Sequence, residues 1–139
     1  RSADIISSAT MARAPLILGK WIQPGTHVDL IGAFKADMRE ADDELLQTSR
    51  LFVDSRETTI HHIGELKIPI AEGAIAESDV IADFYDLLAG GSRDGGSLDD
   101  GSLGKQPGRT SDSDITVFKN GGGAHLDLMI ARYIAETVQ

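Results

Sequence analysis

The sequence predicts an α/β protein built on a doubly wound parallel sheet, and three observations predict it. Short β-branched runs alternate with helical patterns from Asp4 to Ser55. Their spacing is that of strands joined by crossover helices. A last strand, a glycine triplet and an amphipathic helix then follow one another between Ile115 and Val138.

Asp4 to Ala9 (DIISSA) is a β-rich run ending in small residues, and LILGKWI after Pro15 reads as a brief helix or turn. A second strand runs from Thr26 to Ala33, entered through a Pro-Gly turn, with Val28, Leu30 and Ile31 as its apolar content. Glu40 to Ser49 is a helix: acids suit its positive end, and Leu45 and Leu46 give it a buried edge. The acids of EADDE read as a solvated helix start, not as metal ligands. Leu51 to Ser55 is the third strand. Ser55 to Gly64 has amphipathic spacing, with Ser55 as cap, Ile60 and Ile63 on one face and Gly64 as the stop. Ser78 to Gly90 reads as one helix, with Val80, Ile81, Phe84, Leu87 and Leu88 at helical spacing and a Gly-Gly stop. Residues 91–108 are mostly Gly, Ser and Asp and are expected to be a flexible surface loop. Thr110 to Asp114 caps the last strand, and the helix from Ala124 to Val138 carries a stripe of Leu126, Met129, Ile130, Tyr133 and Ile134.

Composition narrows the function. The 139 residues are 41% hydrophobic and 25% charged, the balance of a globular protein. No apolar run approaches the roughly 18 residues of a membrane span, so no membrane partner is expected. Acidic residues outnumber basic ones 22 to 13, for a net charge of -9, which argues against nucleic acid because phosphate binding needs a basic patch. The chain has no cysteine, which removes disulfides, thiol catalysis and thiolate metal sites and fits a reducing compartment. Nothing at Arg1 looks like a secretion signal, and a cytoplasmic location is expected.

A dinucleotide-binding unit opens with a strand, then GxGxxG at a helix start, then an acid about 20 residues later. No GxGxxG occurs here, and the triplet Gly121 to Gly123 has too little chain after it to close a βαβ unit. The fold is therefore expected to begin in its middle, with ADIISSAT as the fourth strand of a doubly wound sheet. Either an N-terminal half held elsewhere or self-association is then expected to cover that strand.

Four ordered blocks carry a resemblance: ADIISSAT, GTHVDLIGAFKADMREADDELL, LFVDSRE and GRTSDSDITVFKNGGGAHLDL. Together they resemble the C-terminal portion of the ornithine cyclodeaminase and mu-crystallin family, nearly end to end. The resemblance implies a Rossmann-type domain for NAD or NADP, whose second half is residues 1–114. Residues 115–139 would then form a strand, glycine turn and helix that return to a dimerising substrate domain. It implies hydride exchange between the nicotinamide and the α-carbon of a small amino or imino acid, most often in a homodimer. Family members include cyclodeaminases, alanine dehydrogenases, reductases of cyclic imino acids and ligand-binding mu-crystallins. The cyclodeaminases have a segment like GGDCPGKTE, whose Asp is thought to act in proton chemistry; Phe34 stands at that position here. A phenyl ring moves no proton. GAF..DMRE and FKNGGGAHLDLM look more like the reductases of 1-pyrroline-2-carboxylate and 1-piperideine-2-carboxylate.

The cofactor-contact candidates follow. Thr10 closes the first strand, and open α/β sheets bind ligands at carboxyl strand ends. Gly32, Ala33 and Phe34 follow the second strand, where small residues let a ribose approach the backbone. Lys119, Asn120, Gly121 and Gly122 match the family's K-S-x-G near the nicotinamide, so these glycines are expected to admit the ring and substrate rather than cradle phosphate. No catalytic residue and no metal ligand is assigned. The adjacent His61 and His62 read as surface residues, because neighbours on a helix face different ways.

Overall fold

A computed structural model of the chain describes residues 3–88 and 108–138. The expected loop at 91–108 and the Gly-Gly stop before it therefore lie outside the described residues, Gly108 excepted. Five strands form one sheet: β1 (Ile5–Ser8), β2 (His27–Leu30), β3 (Arg50–Val53), β4 (Val80–Ala82) and β5 (Thr116–Lys119). The helices are α1 (Asp43–Thr48), α2 (Arg56–Thr59), α3 (Gly64–Ala71), α4 (Phe84–Leu88) and α5 (Ala124–Thr137). The strand order is β1-β2-β5-β3-β4. Every pair is parallel. No helix among the described residues is long and apolar enough to cross a membrane.

This order makes the sheet doubly wound. The chain steps in one direction from β1 to β4 and then back across β3 to β5. Right-handed crossovers place forward and return connections on opposite faces. On one face Val28, Leu30, Leu51, Val53 and Val117 pack with Leu45 and Leu46 of α1 and Leu66 of α3. On the other, Phe84 of the return connection stacks on Phe118, with ring centroids 5.0 Å apart. β5 belongs to the sheet's centre, so the segments 1–114 and 115–139 share one sheet.

The register sorts residues into rows. Ile6, Val28, Val117 and Leu51 lie side by side, and the next row on the same face is Ser8, Leu30, Lys119 and Val53. That second row is the last before the carboxyl edge. It sets polar Ser8 and Lys119 beside fully buried Leu30 and Val53.

Three expectations need correction. Ser78 to Gly90 is not one helix: a 3-10 turn at Glu77–Asp79 leads into β4, and α4 starts only at Phe84. Val80 and Ala82 are buried and Ile81 faces out, an alternation too short to stand out against helical spacing. The helix start was written in DFYD, because the Asp83 N–H donates to Asp86 and the Asp86 N–H to Asp83. Gly64 is not a helix stop but the first residue of α3, whose inclusion of Pro69 hides it from a helical reading. The glycine serves close packing, since a Cβ there would lie 2.5 Å from the Met38 carbonyl oxygen. Ser55 makes no capping side-chain bond to α2, although Ile60 and Ile63 are buried as expected. Third, EADDE is only partly a solvated helix start. Asp42 caps α1 by accepting from the Leu45 N–H at 3.0 Å, whereas Glu40 is fully buried.

Two apolar surfaces stand uncovered. Among the described residues β1 pairs only with β2, Ile5 is 68% exposed, and a groove of about 640 Å³ beside it is lined by Ile6, Leu16, Ile17, Trp21 and Ile22. Helix α5 exposes Met129, Ile130, Tyr133 and Ile134 of its expected stripe.

Candidate functional site

The sequence-derived residues other than Phe34 gather at the carboxyl edge of the sheet, and a carboxylate that sequence reasoning did not select holds three of the eight. Glu40 Oε1 accepts from the Ser8 hydroxyl at 2.7 Å, the Thr10 N–H at 2.7 Å and the Thr10 hydroxyl at 2.9 Å. Its Oε2 accepts from the N–H groups of Gly32 at 2.8 Å and Ala33 at 3.2 Å. Past the last ladder bond, a parallel strand presents N–H groups with no partner. Glu40 collects those of two adjacent strands and so clamps Thr10 against Gly32. The clamp is tight enough to dictate glycine: a Cβ on Gly32 would stand 2.0 Å from the Thr10 carbonyl oxygen and 2.1 Å from its nitrogen.

A second buried acid holds the glycine turn. Asp54, one residue beyond β3, accepts from the Gly121 N–H at 2.9 Å, the Thr59 hydroxyl at 2.8 Å and the Ser55 N–H at 2.8 Å. Asn120 donates its N–H to the Leu30 carbonyl at 3.0 Å, and its side-chain oxygen accepts from the Gly122 N–H at 2.7 Å. Both glycine N–H groups that a phosphate would need are thus engaged by side-chain oxygens, one of them a carboxylate. Neither of these two N–H groups is therefore free to receive a phosphate. Gly122 has φ +72°, a conformation that favours glycine, and open space where a Cβ would point.

Lys119 lies where the sequence placed it but faces inward. Its side chain is fully buried, and Nζ donates to the carbonyls of Leu30 at 3.0 Å and Asn120 at 2.7 Å. The Leu30 carbonyl thereby receives both the Asn120 N–H and the Lys119 ammonium, joining the Gly32 side to the glycine turn. Phe34 stands apart, 53% exposed, with Lys35 Nζ 5.4 Å from its ring centroid. His61 and His62 are exposed, and so is Asp127.

Burial sets the charges. Glu65 of α3 accepts from the N–H groups of Glu40 and Ala41, each at 2.8 Å, and so fixes the residue that makes the first clamp. Burial raises the Glu65 pKa above the ordinary carboxylate value, more than those two N–H groups and Lys119 lower it. Burial lowers that of Lys119, against the pull of Glu65, Glu40, Asp54 and Asp29. Glu40 differs: burial opposes its ionisation, but hydrogen bonds from Ser8, Thr10 and Ala33 together outweigh burial and hold its pKa below the ordinary value. Glu40, Asp54 and Glu65 escaped sequence reasoning because neither spacing nor residue type separates a buried acid from the exposed ones beside it.

With this geometry in place, the chain can be set beside known proteins. The model of the ornithine cyclodeaminase/mu-crystallin family matches residues 1–139. The chain is 62% identical over 136 residues to a Delta(1)-pyrroline-2-carboxylate reductase of Paracoccus denitrificans, covering 98% of this chain and 39% of that protein. The Thermococcus litoralis Delta(1)-pyrroline-2-carboxylate reductase, solved in complex with NADH and L-proline, superposes with a TM-score of 0.77 at 34% identity. That match covers 94% of this chain and 36% of the other. An archaeal alanine dehydrogenase dimer with bound NAD gives a TM-score of 0.76 at 30% identity, covering 96% of this chain and 37% of that one. The chain thus spans under two fifths of the length of each.

Two outcomes are expected. Replacing Gly32 with Ala forces backbone apart and should destabilise by about 1–3 kcal/mol; an unchanged denaturation midpoint would contradict the clamp. Glu40→Gln turns an amide NH2 toward N–H donors and should cost roughly 1–3 kcal/mol at neutral pH. Because the folded-state pKa of Glu40 is lowered, its stabilisation is present above the ordinary value of 4.5 and is lost as pH falls through the lowered pKa. Urea midpoints of both proteins, from about pH 7 to about pH 3, should therefore converge in acid, and a constant gap would show that Glu40 does not titrate in this way.

Proposed function

The chain belongs to the ornithine cyclodeaminase/mu-crystallin family, and from that premise we propose that the protein carrying it is an NAD(P)-dependent reductase of cyclic imino acids. Its substrates are 1-pyrroline-2-carboxylate or 1-piperideine-2-carboxylate, and its products proline or pipecolate. One observation carries the reading: the ends of β1, β2 and β5 meet in a surface of small residues and glycine, joined at the Leu30 carbonyl and fixed from beneath by buried carboxylates. Ligands of open α/β sheets bind outside the carboxyl ends of the strands.

The residues present suit a flat ring carried by a nicotinamide cofactor. Thr10 and Gly32 form one wall, with Ala33 fully buried behind them against Met38 and Ile63, and Asn120, Gly121 and Gly122 form the other; Lys119 braces both walls from behind. Bound there, the reduced nicotinamide supplies a hydride to the imine carbon. The chain's own contribution is placement and exclusion of water, because the wall residues Thr10, Gly32, Asn120, Gly121 and Gly122 include no acid or base. The proton that the imine nitrogen gains is therefore delivered by a residue outside these walls. Phe34 at the position of the cyclodeaminase Asp supports reduction over ring-closing deamination.

In the same proposal, residues 1–114 complete a nucleotide-binding domain whose first half covers β1 and the Trp21 groove. The turn and helix of residues 115–139 lead to a substrate and dimerisation domain, and the exposed apolar side of α5 supports that docking. We take the working form to be a cytoplasmic homodimer: the absence of cysteine fits a reducing compartment, and the exposed apolar side of α5 supports association.

The assay is direct. The protein carrying this chain should oxidise NADH or NADPH in the presence of either cyclic imine and release no ammonia from ornithine. Ammonia release without imine reduction would reverse the assignment.

A further inference from the structure

Asp54 is fully buried and ionisable, yet the reaction proposed above uses it as neither acid nor base. Its hydrogen bonds divide by reach. The Ser55 N–H and the Thr59 hydroxyl are local and both fall on Oδ1. The third bond spans 67 residues and falls on Oδ2, from the Gly121 N–H at 2.9 Å. Nothing local requires that second oxygen to be an acceptor.

The contact is also what makes position 121 a glycine. A Cβ there would stand 2.9 Å from the Thr59 hydroxyl oxygen and 3.2 Å from either Asp54 oxygen. The next residue, Gly122, holds its φ of +72° with open space beside it, and Asn120 is tied back to Leu30. Residues 120 and 122 are thus held by contacts within the turn or from β2, and residue 121 by a carboxylate one residue beyond β3. The backbone of Asp54 is fixed in turn: its N–H donates to the Lys119 carbonyl at 3.2 Å, and its carbonyl accepts from the Phe84 N–H at 3.3 Å.

We propose that Asp54 is a positioning residue for hydride transfer, its Oδ2 setting the height of the Gly121–Gly122 backbone that forms one wall of the nicotinamide site. The proposal rests on the reductase reading. It follows that the carboxylate acts through geometry alone, and that its amide analogue separates the local bonds from the long one. Asp54→Asn keeps an oxygen for Ser55 and Thr59 and turns an NH2 group toward the Gly121 N–H, which breaks the tether while leaving the backbone bonds intact.

The test compares Asp54→Asn with Asp114→Ala in the protein carrying this chain. Asp114 lies at the opposite, amino end of β5, where it accepts from Thr110 and Ser111. Its loss lowers stability away from the turn. Asp54→Asn should lower kcat for the cyclic imine about 10- to 100-fold, the scale of a misplacement of about 1 Å, with much less change in KM. Asp114→Ala should lower the melting temperature with kcat retained. Wild-type kcat in Asp54→Asn, or a kcat loss in Asp114→Ala that matches it, overturns the proposal. Should the unmodified protein reduce neither imine, the reductase reading fails, and amide hydrogen exchange at Gly121 and Gly122 judges the tether. Faster exchange in Asp54→Asn than in Asp114→Ala upholds it, and equal exchange overturns it.

Discussion

A parallel sheet ends in N–H groups that no neighbouring strand can satisfy, and this chain satisfies them with buried carboxylates. Glu40 takes the ends of β1 and β2, and Asp54 takes the turn after β5. A buried polar group without a partner costs about 1–3 kcal/mol, so the carboxyl edge would otherwise need water or a loop folded over it. Meeting its donors from below keeps it rigid.

The same solution concentrates charge. Glu40, Glu65 and Asp54 are buried around one buried cation, Lys119. Ionised groups leave water only when hydrogen bonds and opposite charge replace it. Here backbone N–H groups carry most of that replacement, and the amine of Lys119 spends itself on two carbonyls rather than on a carboxylate. The groups are tuned in opposite senses: hydrogen bonds favour the ionised form of Glu40, and burial favours the neutral forms of Glu65 and Lys119. Glu65 therefore contributes stability that is full below its ordinary value of 4.5 and is lost as pH rises through its raised pKa, the reverse of Glu40.

Much of this was legible in the sequence. The strands β1, β2, β3 and β5 announce themselves through β-branched runs bounded by turns, and the helix α1 through the acids at its positive end and its leucine pair. The strand β4 does not, because three residues cannot establish a period of two against a helical background. Helix α3 does not either, since Gly64 and Pro69 both read as breakers and only tertiary contact shows why they are tolerated. Thr10, Gly32 and Ala33 are expected as contacts because small residues at strand ends have a mechanical reason to be small, and the glycine turn is expected through the family's K-S-x-G; the close approach of Gly32 to Thr10 is such a reason at one of these positions. Glu40 was hidden in a run of acids of which only the folded chain decides the buried one, and the inward turn of Lys119 depends on a register that no local pattern carries.

In the reductase reading, the walls at the ends of β1, β2 and β5 form one cofactor-facing surface. Amide hydrogen exchange of the protein carrying this chain, with and without saturating NAD(P)H, tests it most directly. New protection is expected at Thr10, Gly32 and Asn120 to Gly122, with Ile17 to Ile22 beside the Trp21 groove unchanged. Protection confined to that groove, with the strand ends exchanging as before, would contradict it.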